Sequence, residues 1–361
     1  MSCATRRAAL RALLPGAGVD ALLVTDLLNV RYLTGFTGSN AALLVHGDGD
    51  AASRFCTDGR YRTQAADEVP DLATVIDRAS ALELAGLAGE LGVGRLGFES
   101  DAVTVDAHAA LAEAAGPVAM ERAPGLVHRL RAVKDDGEVE ALRRACAIGD
   151  AALAGLLDDG GLRPGRTERE VALDLEDRMR ALGAAGPAFD TILAAGAHSA
   201  VPHHRPTAAV LQPGDLVKLD FGALVDGYHS DMTRTVVLGP AAAWQRELHA
   251  LVAQAQAAGR EALAPGTEVT AVDAAAREVV ERAGRGEEFV HGLGHGVGLQ
   301  IHEAPALSRT GTGALAAGMA VTVEPGVYLP GRGGVRIEDT LVVRDGAPEL
   351  LTHTTRELLE V

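Results

Sequence analysis

Four carboxylates stand where their local patterns call for apolar residues. Asp220 interrupts V-K-L-D-F-G-A at 217–223, and Asp231 lies in Y-H-S-D-M-T-R-T-V-V at 228–237. A buried carboxylate is costly unless something positive meets it, and two side by side need a proton or a cation between them. An Asp bonded to Arg234 or to backbone amides explains this pair equally well when it is taken alone. Glu324 ends V-T-V-E-P-G and Glu338 interrupts V-R-I-E-D-T, with strand-end capping and a partner in Arg336 as the plain alternatives. Neither alternative explains why four apolar runs each carry one acid. Between them lies H-G-L-G-H-G-V-G-L-Q-I-H-E at 291–303, three histidines interleaved with glycines. Neutral imidazole is a common ligand of divalent transition metals, and glycine lets a backbone pass close to a site. The density of histidine weighs against a loop whose histidines are incidental.

Together Asp220, Asp231, His295, Glu324 and Glu338 make a carboxylate-rich shell with one imidazole. Such a shell suits Mn²⁺, Co²⁺, Fe²⁺ or Zn²⁺, with the harder ions favoured. Five ligands exceed what one open catalytic ion needs, and carboxylates can bridge. Two cations about 3.5–4 Å apart are the economical reading. They also offset the cost of burying four anions.

These side chains need strands to carry them. The spacing predicts strands over 216–221 and 228–238, joined through the turn signal Asp226-Gly227, and further strands over 320–324 and 335–344. Helices frame them. Asp135 with Glu138 caps one that runs to about Leu157. Thr167 with Glu170 caps a second, with Leu173, Met179 and Leu182 as its apolar stripe and Gly183 or Gly186 at its end. Two more are expected over 241–263 and 270–283. Earlier in the chain, strand patterns over 21–25, 41–46, 53–57, 74–78 and 96–99 alternate with helical ones over 82–91 and 105–115. This predicts an α/β (α+β) protein of two parts, a small α/β domain over 1–128 and a larger one over 129–361. No internal repeat of fixed period is visible.

Composition narrows the function classes. A length of 361 residues suits two domains, and 47% apolar residues are ample for their cores. A net charge of −16 argues against a nucleic-acid partner. Cys3, Cys56 and Cys146 are widely spaced and form no C-x-x-C pair, so reduced thiols and a cytoplasmic location are expected. No apolar run is long enough to span a membrane, and Arg6, Arg7 and Arg11 break what would be a signal-peptide core.

The motifs D-F-G-A…S-D-M-T-R-T, H-G-x-G-H-G-V-G, E-P-G-V-Y and G-G-V-R-I-E-D-T, in this order over about 135–358, resemble the "pita-bread" metallopeptidases. That group includes methionine aminopeptidase, aminopeptidase P and prolidase. N-V-R-Y-L-T-G-F-T-G-S-N at 29–40 and T-D-G-R-Y at 57–61 resemble the N-terminal domain of the Xaa-Pro-cleaving branch, which methionine aminopeptidases lack. Creatinases share that domain but act without a dinuclear site, and the full ligand set argues against them. The resemblance implies a creatinase-like N-terminal domain, a pita-bread catalytic domain and a homodimer. It implies that Asp220 and Asp231 bind one metal, that His295 and Glu324 bind the other, and that Asp231 and Glu338 bridge. Mn²⁺ or Co²⁺ is expected first, with Zn²⁺ or Fe²⁺ as alternatives, and a hydroxide held between the metals attacks the carbonyl before proline. Glu324 is implied as general base or proton shuttle, His203 as the substrate-side histidine with His204 beside it, and His302 as the group that stabilises the oxyanion. His291 is implied beside the proline pocket, and Tyr228 and Arg336 at positions that contact the substrate or support the residues that do, with packing or capping the plain alternative for Tyr228 and His204.

One departure bears on substrate length. Prolidases often carry an arginine shortly after H-E-x-P, where it can hold a dipeptide's free carboxylate. Here H-E-A-P-A-L has Ala306 at that place. The expectation is therefore a metal-dependent Xaa-Pro aminopeptidase acting on proline-containing peptides. A Xaa-Pro dipeptidase (prolidase) is the alternative, and a non-catalytic binding protein on the same fold is a more distant one.

Overall fold

The chain is described from Met1 to Val361 in a computed structural model, and its contacts divide it into two units, Met1–Arg131 and Ala132–Val361. The first unit is built on a mixed six-stranded sheet in the order β4-β3-β2-β1-β5-β6. Its strands are β1 (Ala21–Val24), β2 (Ala41–His46), β3 (Arg54–Thr57), β4 (Ala73–Ile76), β5 (Arg95–Phe98) and β6 (Ala119–Arg122). β1 runs antiparallel to β2 and parallel to β5. Helices Ser80–Leu87 and Val105–Ala115 bring Leu84 and Leu111 onto Leu23, Leu44 and Leu96. β6 has no counterpart in the sequence reading, because Ala119, Glu121 and Arg122 are exposed and its residues A-M-E-R carry no strand pattern.

The second unit repeats one plan twice: a pair of helices, then a creased β-ladder. Helix Asp136–Asp158 opens with the capping box of Asp135 and Glu138, and Glu168–Ala181 with that of Thr167 and Glu170. The buried stripe of the second helix is Val171, Leu175 and Met179, an i,i+4 series. Leu173 and Leu182, expected on that stripe, are 52% and 48% exposed; Leu173 lies two positions from Val171 and so points the other way. The strands that follow are β7 (Gly186–Pro187), β8 (Ile192–Ala195), β9 (Leu216–Phe221), β10 (Ala223–Val225), β11 (Tyr228–His229) and β12 (Met232–Val237). The expected hairpin is real but folded over on itself. β9 and β12 pair in one sheet with β8, while β10 and β11 pair in another with β7. Asp226 and Gly227 make the turn, both at positive φ (51° and 81°). Gly222 makes the crease, since a Cβ there would lie 1.8 Å from the Ser230 carbonyl oxygen.

Helices Ala243–Glu261 and Val269–Arg282 begin the second repeat of the plan. They are followed by β13 (Gly294–Gly296), β14 (Glu303–Leu307), β15 (Ala320–Val323), β16 (Gly326–Leu329), β17 (Gly333–Arg336), β18 (Asp339–Val342) and β19 (Glu349–Leu350). The strand expected over 335–344 is two strands in two sheets. β15 pairs with β18, and beyond the crease β16 pairs with β17. The run V-R-I-E-D-T-L-V reads as continuous because residues on both sides of the break are buried. Opposite the break stands Glu324-Pro325, and proline has no N–H to carry a ladder onward. Each repeat has its own core. Leu153, Leu175, Leu193, Leu219 and Val236 centre the first, and Val252, Val272, Leu293, Val321 and Ile337 the second.

Candidate metal centre and active-site cavity

The two creases meet. Asp231 lies one residue before β12, Glu324 one residue after β15 and Glu338 one residue before β18, each at a bend where the ladder has let go of the backbone. Asp220, in β9, stands opposite Thr233 in the β9/β12 register rather than opposite Asp231. Hydrogen bonds join the creases. Thr233 Oγ1 donates to Glu338 Oε2 at 2.6 Å, Glu338 N to the Thr233 carbonyl at 3.1 Å, and Thr340 Oγ1 to the Asp231 carbonyl at 2.8 Å. Asp339 anchors the far side, accepting from Arg234 at 2.8 Å and Gln256 at 2.7 Å.

The donor set is one that a cation would complete. His295 Nδ1 lies 3.0 Å from the Gly296 carbonyl, which makes it the N–H donor and leaves Nε2 as a lone pair. That lone pair faces Asp231 Oδ2 at 3.5 Å and Glu324 Oε1 at 3.4 Å, so one imidazole nitrogen and two carboxyl oxygens converge on a single point. Ligand atoms of Asp231, His295 and Glu338 lie within 4.8 Å of one another. Asp220 Oδ1 and Glu338 Oε1 are buried without a hydrogen-bond partner. Burial, and then repulsion by the neighbouring acids, push the carboxyls of Asp231 and Glu338 well above the usual range. Burial raises Glu324 to about 8. The residues present therefore fit divalent cations. The Arg336 guanidinium supplies the positive charge that the chain itself brings, donating to Asp220 Oδ2 and lying 3.9 Å from Glu324 Oε2.

A cavity of about 740 Å³ opens over these groups. Its wall includes Asp220, Asp231, Glu324, Glu338, His295, His291, His302, His203, His204 and Arg336, ten of the eleven residues expected from their motifs to serve the site; Tyr228 is the eleventh. His302 stacks edge-on against His295, with ring centroids 4.4 Å apart. His291 is held in a directed chain. Arg336 Nη1 donates to the Tyr328 hydroxyl at 2.9 Å, that hydroxyl meets His291 Nε2 at 2.9 Å, and His291 Nδ1 meets the Gly292 carbonyl at 2.8 Å. Burial lowers His291 to about 3 and His295 to about 4, and burial with the Arg336 charge lowers His203, so all three are neutral near pH 7.

One expectation is corrected. Tyr228 does not line the cavity: its hydroxyl donates to Glu138 Oε1 at 3.0 Å, because β11 turns this side chain onto helix Asp136–Asp158. His204 reaches the wall, but its Nε2 is committed to Glu168 at 2.9 Å. Several contributors went unread in the sequence. Tyr328 stands in E-P-G-V-Y and looks like strand filler. Thr233 and Thr322, whose hydroxyl accepts from His295 N at 3.1 Å and donates to Glu324 Oε1 at 3.4 Å, look like ordinary strand threonines, and Glu168 like a first-turn helix acid. Also lining the cavity are Arg169, Glu176, Phe189, Asp190 and Arg205.

Comparison with known proteins agrees with this geometry. Residues 140–345 match Metallopeptidase family M24, and residues 6–133 match the Creatinase/Prolidase N-terminal domain. Over 351 residues the chain is 38% identical to the uncharacterized peptidase YqhT of Bacillus subtilis, covering 97% of this chain and 98% of the relative. The structure of a Xaa-Pro dipeptidase from Bacillus anthracis superposes with a TM-score of 0.95 at 38% identity, covering both chains in full. An X-Pro aminopeptidase from Thermotoga maritima superposes at 0.89 with 33% identity, over 98% of this chain and 99% of the other.

Proposed function

The chain belongs to metallopeptidase family M24, and from that premise we propose that it is a Xaa-Pro aminopeptidase working with two divalent cations. The carrying observation is the convergence of the His295 lone pair with the oxygens of Asp231 and Glu324, beside the unpartnered oxygens of Asp220 and Glu338. Asp220, Asp231, His295, Glu324 and Glu338 are the proposed ligands. Their oxygen-rich character favours Mn²⁺ or Co²⁺. Bound there, the cations supply Lewis acidity and an activated water.

The side chains then share the remaining tasks. Glu324 takes and returns the proton, from its place on the cavity wall beside the His295 ring. His302 and His203 stand on the cavity wall, where a ring N–H of each can meet the oxygen on which charge develops. His291, locked by Tyr328 and Gly292, presents an uncharged ring edge to the proline side of the substrate.

Substrate length is read from residue 306. The β13/β14 register sets Ala306 opposite His295, so its side chain shares the face that carries the site. Alanine offers no cation to a dipeptide's carboxylate, which favours longer Xaa-Pro peptides. The dipeptidase reading draws on Arg169 and Arg205, two cations elsewhere on the cavity wall. The test is hydrolysis of Xaa-Pro and Xaa-Pro-Xaa peptides by chelator-stripped protein, with Mn²⁺, Co²⁺ or Zn²⁺ restored separately. Metal-restored cleavage of the tripeptide is expected. Cleavage of the dipeptide alone makes the chain a prolidase, and cleavage of neither removes the Xaa-Pro assignment.

A further inference from the structure

Glu168 takes no part in the chemistry above, yet it is fully buried and accepts five hydrogen bonds from a single stretch of chain. Its Oε1 accepts from Ala195 N at 3.0 Å and meets His198 Nδ1 at 2.9 Å. Its Oε2 meets His204 Nε2 at 2.9 Å and accepts from Thr207 N at 2.9 Å and Thr207 Oγ1 at 2.6 Å. The rings of His198 and His204 stack with centroids 4.3 Å apart. Burial raises this carboxyl, but the five donors outweigh burial and hold it down at about 2.

The same stretch is gripped from its other side. Lys218 Nζ donates to the carbonyls of Val201 at 2.6 Å and Pro202 at 3.0 Å, and Arg336 Nη1 donates to Pro202 at 3.2 Å. His203 emerges into the cavity between these two grips. Glu168, His198 and His204 have the spacing of metal ligands, with ligand atoms within 4.8 Å of one another. Both carboxylate oxygens are already satisfied by N–H and O–H donors, however, so the cluster needs no cation.

We infer that Glu168 is a positioning residue that fixes the loop 195–207 and thereby the place of His203 against the substrate. The inference rests on the proposed function. A carboxylate is required because donors approach both oxygens. An amide presents one acceptor and one N–H₂, and whichever way it turns, its N–H₂ faces a backbone N–H that can only donate, that of Ala195 or of Thr207.

The test uses the metal-loaded full chain, as wild type, Glu168→Gln, His203→Ala and the double variant. Hydrogen exchange is followed by mass spectrometry, and kcat and KM are measured on a Xaa-Pro-Xaa peptide. Glu168→Gln is expected to speed amide exchange within 195–207 and to leave metal content unchanged. It should lower kcat/KM about 10- to 100-fold, divided between kcat and KM as in His203→Ala. The double variant should be no worse than His203→Ala alone, because both changes remove one contribution. Losses that multiply, or exchange within 195–207 that matches wild type, overturn the proposal. Wild-type kinetics for His203→Ala overturn it too. If Glu168→Gln fails to fold, Thr207→Val removes one of the five bonds and should give the same pattern in smaller measure; a wild-type pattern there overturns the proposal. Failure of the wild-type chain to cleave any Xaa-Pro bond counts against the proposed function, while the exchange result still decides whether Glu168 holds the loop.

Discussion

Loading the centre with metal should expel protons, and the number can be worked from the site. Burial raises Glu324 to about 8, so in chelator-stripped protein at pH 7 this carboxyl is about nine-tenths protonated. Burial and mutual repulsion raise Asp231 and Glu338 as well, so each holds its proton beyond the usual carboxylate range. His295, lowered to about 4 by burial, is already neutral and contributes none. Binding then releases between about one and three protons at pH 7, and the apparent association constant rises about tenfold per pH unit for each proton. Titration calorimetry in two buffers of different ionisation enthalpy counts them directly. The stability of the stripped protein carries the same sign. Glu324 holds its proton when folded and releases it at about 4.5 when unfolded, so its contribution is present below 4.5 and is lost as pH rises through about 8. At 1.36 kcal/mol for each pH unit, Glu324 alone accounts for at most about 5 kcal/mol. The metal-induced rise in Tm should accordingly widen between pH 5 and pH 8. A proton count near zero at pH 7, with affinity independent of pH, would refute the reasoning.

Three further outcomes follow from the geometry. Asp231→Asn should abolish hydrolysis and lower metal content, while the stripped variant melts no lower than stripped wild type; a fully metallated, active variant would remove Asp231 from the ligand set. Gly222→Ala drives a Cβ into the Ser230 carbonyl, a backbone atom that cannot step aside, and should cost more than the usual 1–3 kcal/mol of overpacking, about 3 or above, together with metal affinity; denaturant midpoints and metal titration check this. Tyr228→Phe should cost about 1 kcal/mol through the lost bond to Glu138 and leave kcat/KM within about twofold of wild type, since this side chain does not reach the cavity.

The parts of this molecule that follow local rules were legible beforehand. Two capping boxes and the Asp226-Gly227 turn depend on residues three apart or adjacent, and the structure has them as expected. The misreadings share a cause in tertiary burial. β17 and β18 read as one strand because both flanks of the crease are covered, so polarity does not fall where the ladder ends. Leu173 was placed inside by its type and lies outside by its helical angle. Glu168 carries the signature of a first-turn helix acid, and that signature says nothing about five donors supplied from 195–207. The acids of the site stood out because each broke an apolar run, whereas Tyr328 and Thr233 conformed to theirs.

The creased ladders have a consequence for the order in which the centre comes into being. Asp220 and Asp231 belong to the first crease, Glu324 and Glu338 to the second, and the bonds that register one against the other, Thr233 to Glu338 and Thr340 to Asp231, span more than a hundred residues of chain. Contacts of such separation form late, after the local helices and hairpins have closed their loops. Neither crease alone gathers the full ligand set. On the proposed ligand set, metal would therefore meet a unit whose halves have already docked, rather than templating the fold as it does in a zinc finger.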